Sequence, residues 1–164
     1  MAPPLAGHLN DTDLYLNPNP EKAMIETRTA PYAALMLRLS LGLMFVAHAL
    51  LKLFVFTLPG TVQFFQSLGL PGVLAYATIA AELVGGVLLI LGVQTRIVAA
   101  ALIPVLLGAT WAHVGNGWQF SAPKGGWEYP AFLAAAAAVQ ALLGDGAYAL
   151  ANLRGSRRPQ LQAA

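Results

Sequence analysis

The sequence predicts an all-α, polytopic membrane protein: four transmembrane helices in an antiparallel bundle, with a short interfacial helix between the first and second spans. Three observations lead there. Hydrophobic residues are 57% of the 164 and charged residues only 10%, a balance foreign to soluble domains. Mean hydropathy is +0.63, and the apolar residues fall in long runs almost free of charge. Proline and glycine separate those runs at intervals that leave room for about four spans of roughly 20 residues plus tails.

Residues 1–31 are polar and rich in proline and asparagine, and they carry Asp11, Asp13 and Glu21. They lack the basic start and apolar stretch of a cleavable signal peptide, so they read as a retained tail. Asn17-Pro18-Asn19-Pro20 interrupts regular structure, and residues 21–29 have the make-up of one short helix. The first span covers residues 32–53, after which Pro59 and Gly60 stop the pattern. Residues 61–70 read as an amphipathic segment lying at the interface. Pro71-Gly72 opens the second span, residues 73–91. The third, residues 97–113, contains Pro104 and is expected to kink there. The fourth starts near Trp127 and runs until Gly144-Asp145-Gly146 weakens it, and residues 151–164 form a basic tail. Residues 32–150 are thus one membrane domain, and its short connections suit antiparallel neighbours.

An even number of spans puts both tails and the turn after the second span on one side. That side carries Lys22, Arg28, Arg96, Arg154, Arg157 and Arg158, against Lys52 and Lys124 on the other. The bias predicts cytoplasmic termini, and Trp111, Trp118, Trp127 and Tyr129 then form an aromatic belt at the opposite face. The formal net charge of +2 comes without a basic cluster interleaved with aromatics, which argues against nucleic acid as a partner. With no cysteine, the chain has no disulfide relay, thiolate metal site or cysteine-ligated cluster.

Five ionisable residues, His48, Lys52, Glu82, His113 and Glu128, stand inside these runs or at their rims. A charge at bilayer depth costs roughly 2.5 to 3.5 kcal/mol on insertion scales, so such groups face one another or a wet cavity. His48 lies about 8 Å inside the outer end of the first helix, with Lys52 one turn beyond on the same face. Arg38 falls near that stripe, close enough to the inner end to snorkel. Glu82 is at mid-membrane, where a carboxylate is protonated or paired. The small residues of Ala81-x-x-x-Gly85 direct it into a helix interface. His113 and Glu128 flank the outer loop, and all five can share the outer half of one bundle interior.

Two histidines and two carboxylates suit a divalent metal, a proton relay, or hydrogen bonds to the oxygens of a quinone. The Lys52 ammonium beside His48 disfavours a metal, and no local metal motif is present. A purely structural arrangement stays open, with Lys52 neutralising Glu82 or Glu128 and fixing which helices are neighbours.

Several motifs in order carry a family resemblance: His48 with Leu51-Lys52, Gly69-Leu70-Pro71, Ala81-Glu82-Leu83-Val84-Gly85-Gly86, Leu91-Gly92-Val93-Gln94-Thr95-Arg96, and Gly144-Asp145-Gly146. Over residues 32–150 the chain resembles the DoxX family. The resemblance implies a multi-pass protein of the bacterial inner membrane, related to the quinone-reducing membrane subunit of thiosulfate:quinone oxidoreductase, with His48, Lys52, Glu82 and Arg96 as carried-over residues. Ala49 replaces the glycine usual after the histidine, and Ala147-Tyr148-Ala149 replaces a usual Ser-Leu-Asp.

Two functions remain on the sequence. In one, the protein is a redox subunit: His48 and Glu82 exchange protons with a quinone, Lys52 stabilises the quinol anion, His113 and Glu128 extend the relay, and a partner subunit supplies electrons. In the other it is a structural or assembly subunit of a larger membrane complex; a small transporter or metal-handling protein ranks below both. The expected partners are the lipid bilayer and other membrane or redox subunits. Gly42, Gly85, Gly86 and Gly108 could serve contacts within a monomer or a homo-oligomer.

Overall fold

The computed structural model describes residues 28–155, which are helical with connecting turns and contain no strand. The expected helix and breaks at residues 17–27, and most of both tails, lie outside the described residues. Helix α1 spans Ala30–Leu50 and opens with proline in its first turn, where the missing N–H leaves no bond unmade. It does not stop at Leu50. A π-turn, Leu51–Val55, continues it, and together they form an apolar rod of 26 residues, Ala30–Val55.

Helix α2, Leu58–Ser67, follows a sharp corner at Thr57, whose φ of 61° and ψ of 157° lie in a region of backbone space that residues with a Cβ seldom occupy. Helix α3 is Val73–Leu91. It ends at Gly92, left-handed at φ 68°, where Gly92 N donates to Leu89 O at 3.0 Å and Val93 N to Leu88 O at 3.0 Å, the closing pattern of a Schellman motif. Helix α4, Thr95–His113, passes through Pro104 as one assigned helix and runs into a 3₁₀ turn, Val114–Asn116. Helix α5 is Glu128–Leu143, and a short α6 covers Leu150–Gly155.

Helix α1 packs chiefly on α3 and α4 chiefly on α5, and the two pairs join along α3–α4 and α1–α5. The α1–α3 crossing is close: a methyl group added at Gly86 would stand 2.8 Å from the Gly42 carbonyl oxygen and 2.9 Å from Val46. Leu41, Phe45, Leu89, Leu102 and Leu106, with Ala99, Ala134 and Ala137, fill the centre.

The outer surface is as apolar as the core. Met36, Phe54 and Leu142 are 71%, 76% and 76% exposed, which water would penalise and a lipid tail does not. Among the described residues three helices are long and apolar enough to cross a membrane: Ala30–Val55, Val73–Leu91 and Thr95–Asn116. This is a multi-pass membrane protein. The fourth expected span is shorter than the others, because α5 has 16 residues and reaches about 24 Å against a hydrocarbon core of about 30 Å.

Candidate functional site

The half of the bundle that holds His48, Lys52 and Glu82 contains a cavity of about 970 Å³. Helix α1 contributes Met44, Phe45 and His48, the π-turn Lys52, α3 Thr78 and Glu82, α4 Trp111 and His113, and α5 Tyr129. Helix α2 closes one side with Thr61, Phe64 and Phe65. The walls are mainly apolar and the polar groups few, which is how small-molecule sites are usually built.

Lys52 and Glu82 form the centre of the polar set. Lys52 Nζ donates to both carboxylate oxygens of Glu82 at 2.8 Å, joining the end of α1 to the middle of α3. The two side chains are 19% and 8% exposed, so the pair is largely withdrawn from water and its charges are weakly screened. The π-turn helps make this reach. By admitting one extra residue it changes the phase of the helix, and Phe54 and Val55 after Lys52 are exposed while Phe56 lines the cavity.

His48 lies within electrostatic reach of Glu82. Its Nδ1 is 2.9 Å from the Met44 carbonyl oxygen. A carbonyl only accepts, so Nδ1 carries the proton and donates, which leaves Nε2 as the free nitrogen. The imidazole stacks on Tyr129 with ring centroids 6.2 Å apart and an interplanar angle of 25°. Tyr129 in turn donates its hydroxyl to Met44 Sδ at 2.6 Å. Methionine 44 thus fixes both rings from below.

His113 also lines the cavity, from its outer rim. Its Nδ1 donates to Gly125 O at 3.0 Å, and Asn116 Nδ2 donates to the same oxygen at 2.9 Å, so His113 is tied into the outer loop. Glu128 does not join the others. Its Oε1 accepts from Phe120 N at 2.8 Å, and it lines a separate shallow hollow with Trp118, Phe120, Trp127 and Phe132. Proximity to a helix end suggested a place in the cavity, but the folded outer loop offers a backbone N–H first. Among the described residues no three histidines and carboxylates gather as a metal site would require.

The other end of the bundle is built differently. Arg38 does not snorkel: it is 1% exposed, donates from Nη2 to Ala147 O at 3.3 Å, and lies within the field of Asp145. The turn at residues 144–149 covers it. Asp145 Oδ1 accepts from Thr95 N at 3.2 Å, capping α4 from a distance, while Ala147 N donates to Pro31 O at 2.9 Å and Ala151 N to Gly92 O at 3.3 Å. Arg96 belongs to this end also. It donates to Ala141 O at 3.4 Å and Leu143 O at 3.5 Å, placing a cation on the last carbonyls of α5.

Sequence reasoning placed Tyr129 only in the aromatic belt and passed over Thr61. Thr61 could have been flagged as a hydroxyl in an apolar segment nine residues after Lys52. Tyr129 had no such signal, because its partner Met44 lies on another helix.

Comparison with known proteins agrees with the family resemblance. The DoxX family model matches residues 33–115. A protein of Bacillus subtilis (strain 168) named "Putative oxidoreductase CatD" is 45% identical over 75 residues, which are 46% of this chain and 54% of that protein. The match therefore spans about half the length of that curated relative. No solved structure matches.

Proposed function

This chain belongs to the DoxX family of membrane proteins, and from that premise we propose that it is the quinone-binding, proton-handling subunit of a membrane redox complex. The observation that carries the reading is the meeting of His48, Lys52, Glu82 and Tyr129 on one apolar-walled cavity of about 970 Å³. The name of the Bacillus relative, an oxidoreductase, supports the reaction class. The cavity's size and apolar walls fit a flat, lipid-soluble ring with two carbonyl oxygens.

Reducing such a ring to its quinol takes two electrons and two protons. The electrons come from a partner subunit, since the chain has no thiolate to hold a cluster. Lys52 places its ammonium where negative charge develops on a quinone oxygen. The Glu82 carboxylate and the free Nε2 of His48 each take up a proton from the aqueous side and hand it to one quinone oxygen as the two electrons arrive, so that two protons and two electrons are accounted for. Tyr129 and His48 offer a stacked aromatic surface to the ring. In this reading the protein sits in the bacterial inner membrane with both termini cytoplasmic, and His113 relays protons at the outer rim.

One observation favours a second reading. Lys52 spends two of its three donors on Glu82, and a buried pair of that kind can serve only to fix α1 beside α3. The protein would then be an assembly subunit.

Binding of a short-chain quinone to the purified full chain, read by quenching of tryptophan fluorescence, separates the two. Trp111 lines the cavity and supplies the signal, and Trp111→Phe controls for it. Saturable quenching is expected, weakened about tenfold or more in His48→Ala and Glu82→Gln by loss of a polar partner. Folded wild-type protein without saturable quenching would refute the quinone reading and leave the assembly role.

A further inference from the structure

We infer that Thr61 is a positioning residue: its buried hydroxyl ties down the backbone carbonyl of Lys52 and so sets where the Lys52 ammonium stands in the cavity. The inference rests on the reading of that cavity as the functional site.

A helix end leaves its last carbonyls without intrahelical donors. In the π-turn, Phe56 N donates to Leu51 O at 2.9 Å. The next carbonyl, that of Lys52, accepts from Thr61 Oγ1 at 3.1 Å across nine residues. The same hydroxyl lies 2.9 Å from Thr57 O, which also accepts from Thr61 N at 2.9 Å. One hydroxyl proton is therefore shared between two carbonyls, one on each side of the corner.

A threonine bonding back four residues is ordinary and signifies little. Thr110 supplies the comparison within this chain: its Oγ1 donates to Leu106 O at 2.8 Å, four residues back. Thr61 differs by its second acceptor, and that acceptor belongs to the residue whose side chain pairs with Glu82. Thr61 is also 4% exposed, so little of it reaches bulk water.

The corner it closes is held in an unusual shape. Thr57 keeps φ 61° and ψ 157°, a conformation that persists only where surrounding bonds over-determine it. Those bonds are the Thr57 Oγ1 cap on Gly60 N at 3.3 Å and the two Thr61 donors on Thr57 O. From Lys52 to Thr61 the chain is thus a closed loop of hydrogen bonds whose far end is the lysine. A paired distance of 2.8 Å to both carboxylate oxygens tolerates little backbone drift, so releasing the loop releases the pair.

The test compares Thr61→Val, which keeps the shape and removes the hydroxyl, with Thr61→Ser, which keeps the hydroxyl, and with Thr110→Val. The readout is the rate at which Lys52 is acylated by a small amine reagent in the purified full chain, measured by peptide mass spectrometry against Lys124. Lys52 in Thr61→Val is expected to react about tenfold faster than in wild type, while Thr61→Ser and Thr110→Val stay near the wild-type rate. An unchanged rate in Thr61→Val, or an equal rise in Thr61→Ser, overturns the inference. If Thr61→Val does not fold, Thr61→Ala takes its place. If neither folds while Thr61→Ser does, Thr61 is a fold determinant and the positioning role is likewise overturned. The acylation needs no quinone, so it decides on Thr61 even if wild type fails to quench with quinone and the proposed function falls.

Discussion

Lys52 Nζ and the Glu82 carboxylate meet at 2.8 Å through both oxygens, a contact that spans 30 residues of sequence and fastens two neighbouring helices. Removing one partner leaves the other charge buried and unpaired. Lys52→Met or Glu82→Met alone is expected to cost about 3 to 5 kcal/mol, and the two together to recover most of that loss. Unfolding midpoints in detergent, arranged as a double-mutant cycle, check it; additive effects would show that the pair contributes no coupling.

Gly86 and Gly108 should respond oppositely to alanine. A Cβ at Gly86 meets the Gly42 carbonyl oxygen at 2.8 Å, whereas one at Gly108 meets nothing within 4 Å. Gly86→Ala is expected to destabilise by about 1 to 3 kcal/mol through overpacking. Gly108→Ala should be neutral or stabilise by up to about 1 kcal/mol, because it trades glycine for a better helix former. Thermal midpoints of the two variants side by side decide this.

Arg38 holds the turn that closes the inner end of the bundle through Ala147 O. Arg38→Met is therefore expected to speed amide hydrogen exchange at Ala147 and Ala151 by about tenfold, these being the amides that bond to Pro31 O and Gly92 O. Exchange in the middle of α4 should not change. Equal acceleration in both places would mean global destabilisation rather than a released turn.

Glu128 serves the outer loop rather than the cavity. Glu128→Gln keeps an acceptor for Phe120 N and should leave short-chain quinone affinity within about 0.5 kcal/mol of wild type. Glu128→Ala removes the acceptor and should make residues 118–127 more open to limited proteolysis, again with little change in affinity. A large affinity loss in Glu128→Gln would return Glu128 to the site.

Helix phase and punctuation were legible in the sequence, and contacts between distant turns were not. Pro71-Gly72 and Gly92 bracket Val73–Leu91 as expected, because both boundaries depend on local backbone preferences. The first span runs past residue 53 because a π-turn extends it, and no composition cue marks where a helix widens. The cost of an unpaired charge in lipid gave Lys52 a carboxylate partner but left it between Glu82 and Glu128, and the fold pairs it with Glu82. Burial of Arg38 depends on a turn more than 100 residues later in the chain, whose packing no local pattern encodes. Glu128 was grouped with the cavity residues by its position in sequence, and the fold of the outer loop separated it.

The Gly42–Gly86 crossing makes a fulcrum. On α1 it lies between Arg38 and Lys52, and on the antiparallel α3 between Gly92 and Glu82. Rocking α3 away from α1 at the cavity end therefore drives Gly92 toward the Arg38 guanidinium, where there is no room even for a methyl group. Prying these two helices apart to admit a bulky ring is therefore opposed at the far end of the bundle, where the Arg38 side chain has to give way first.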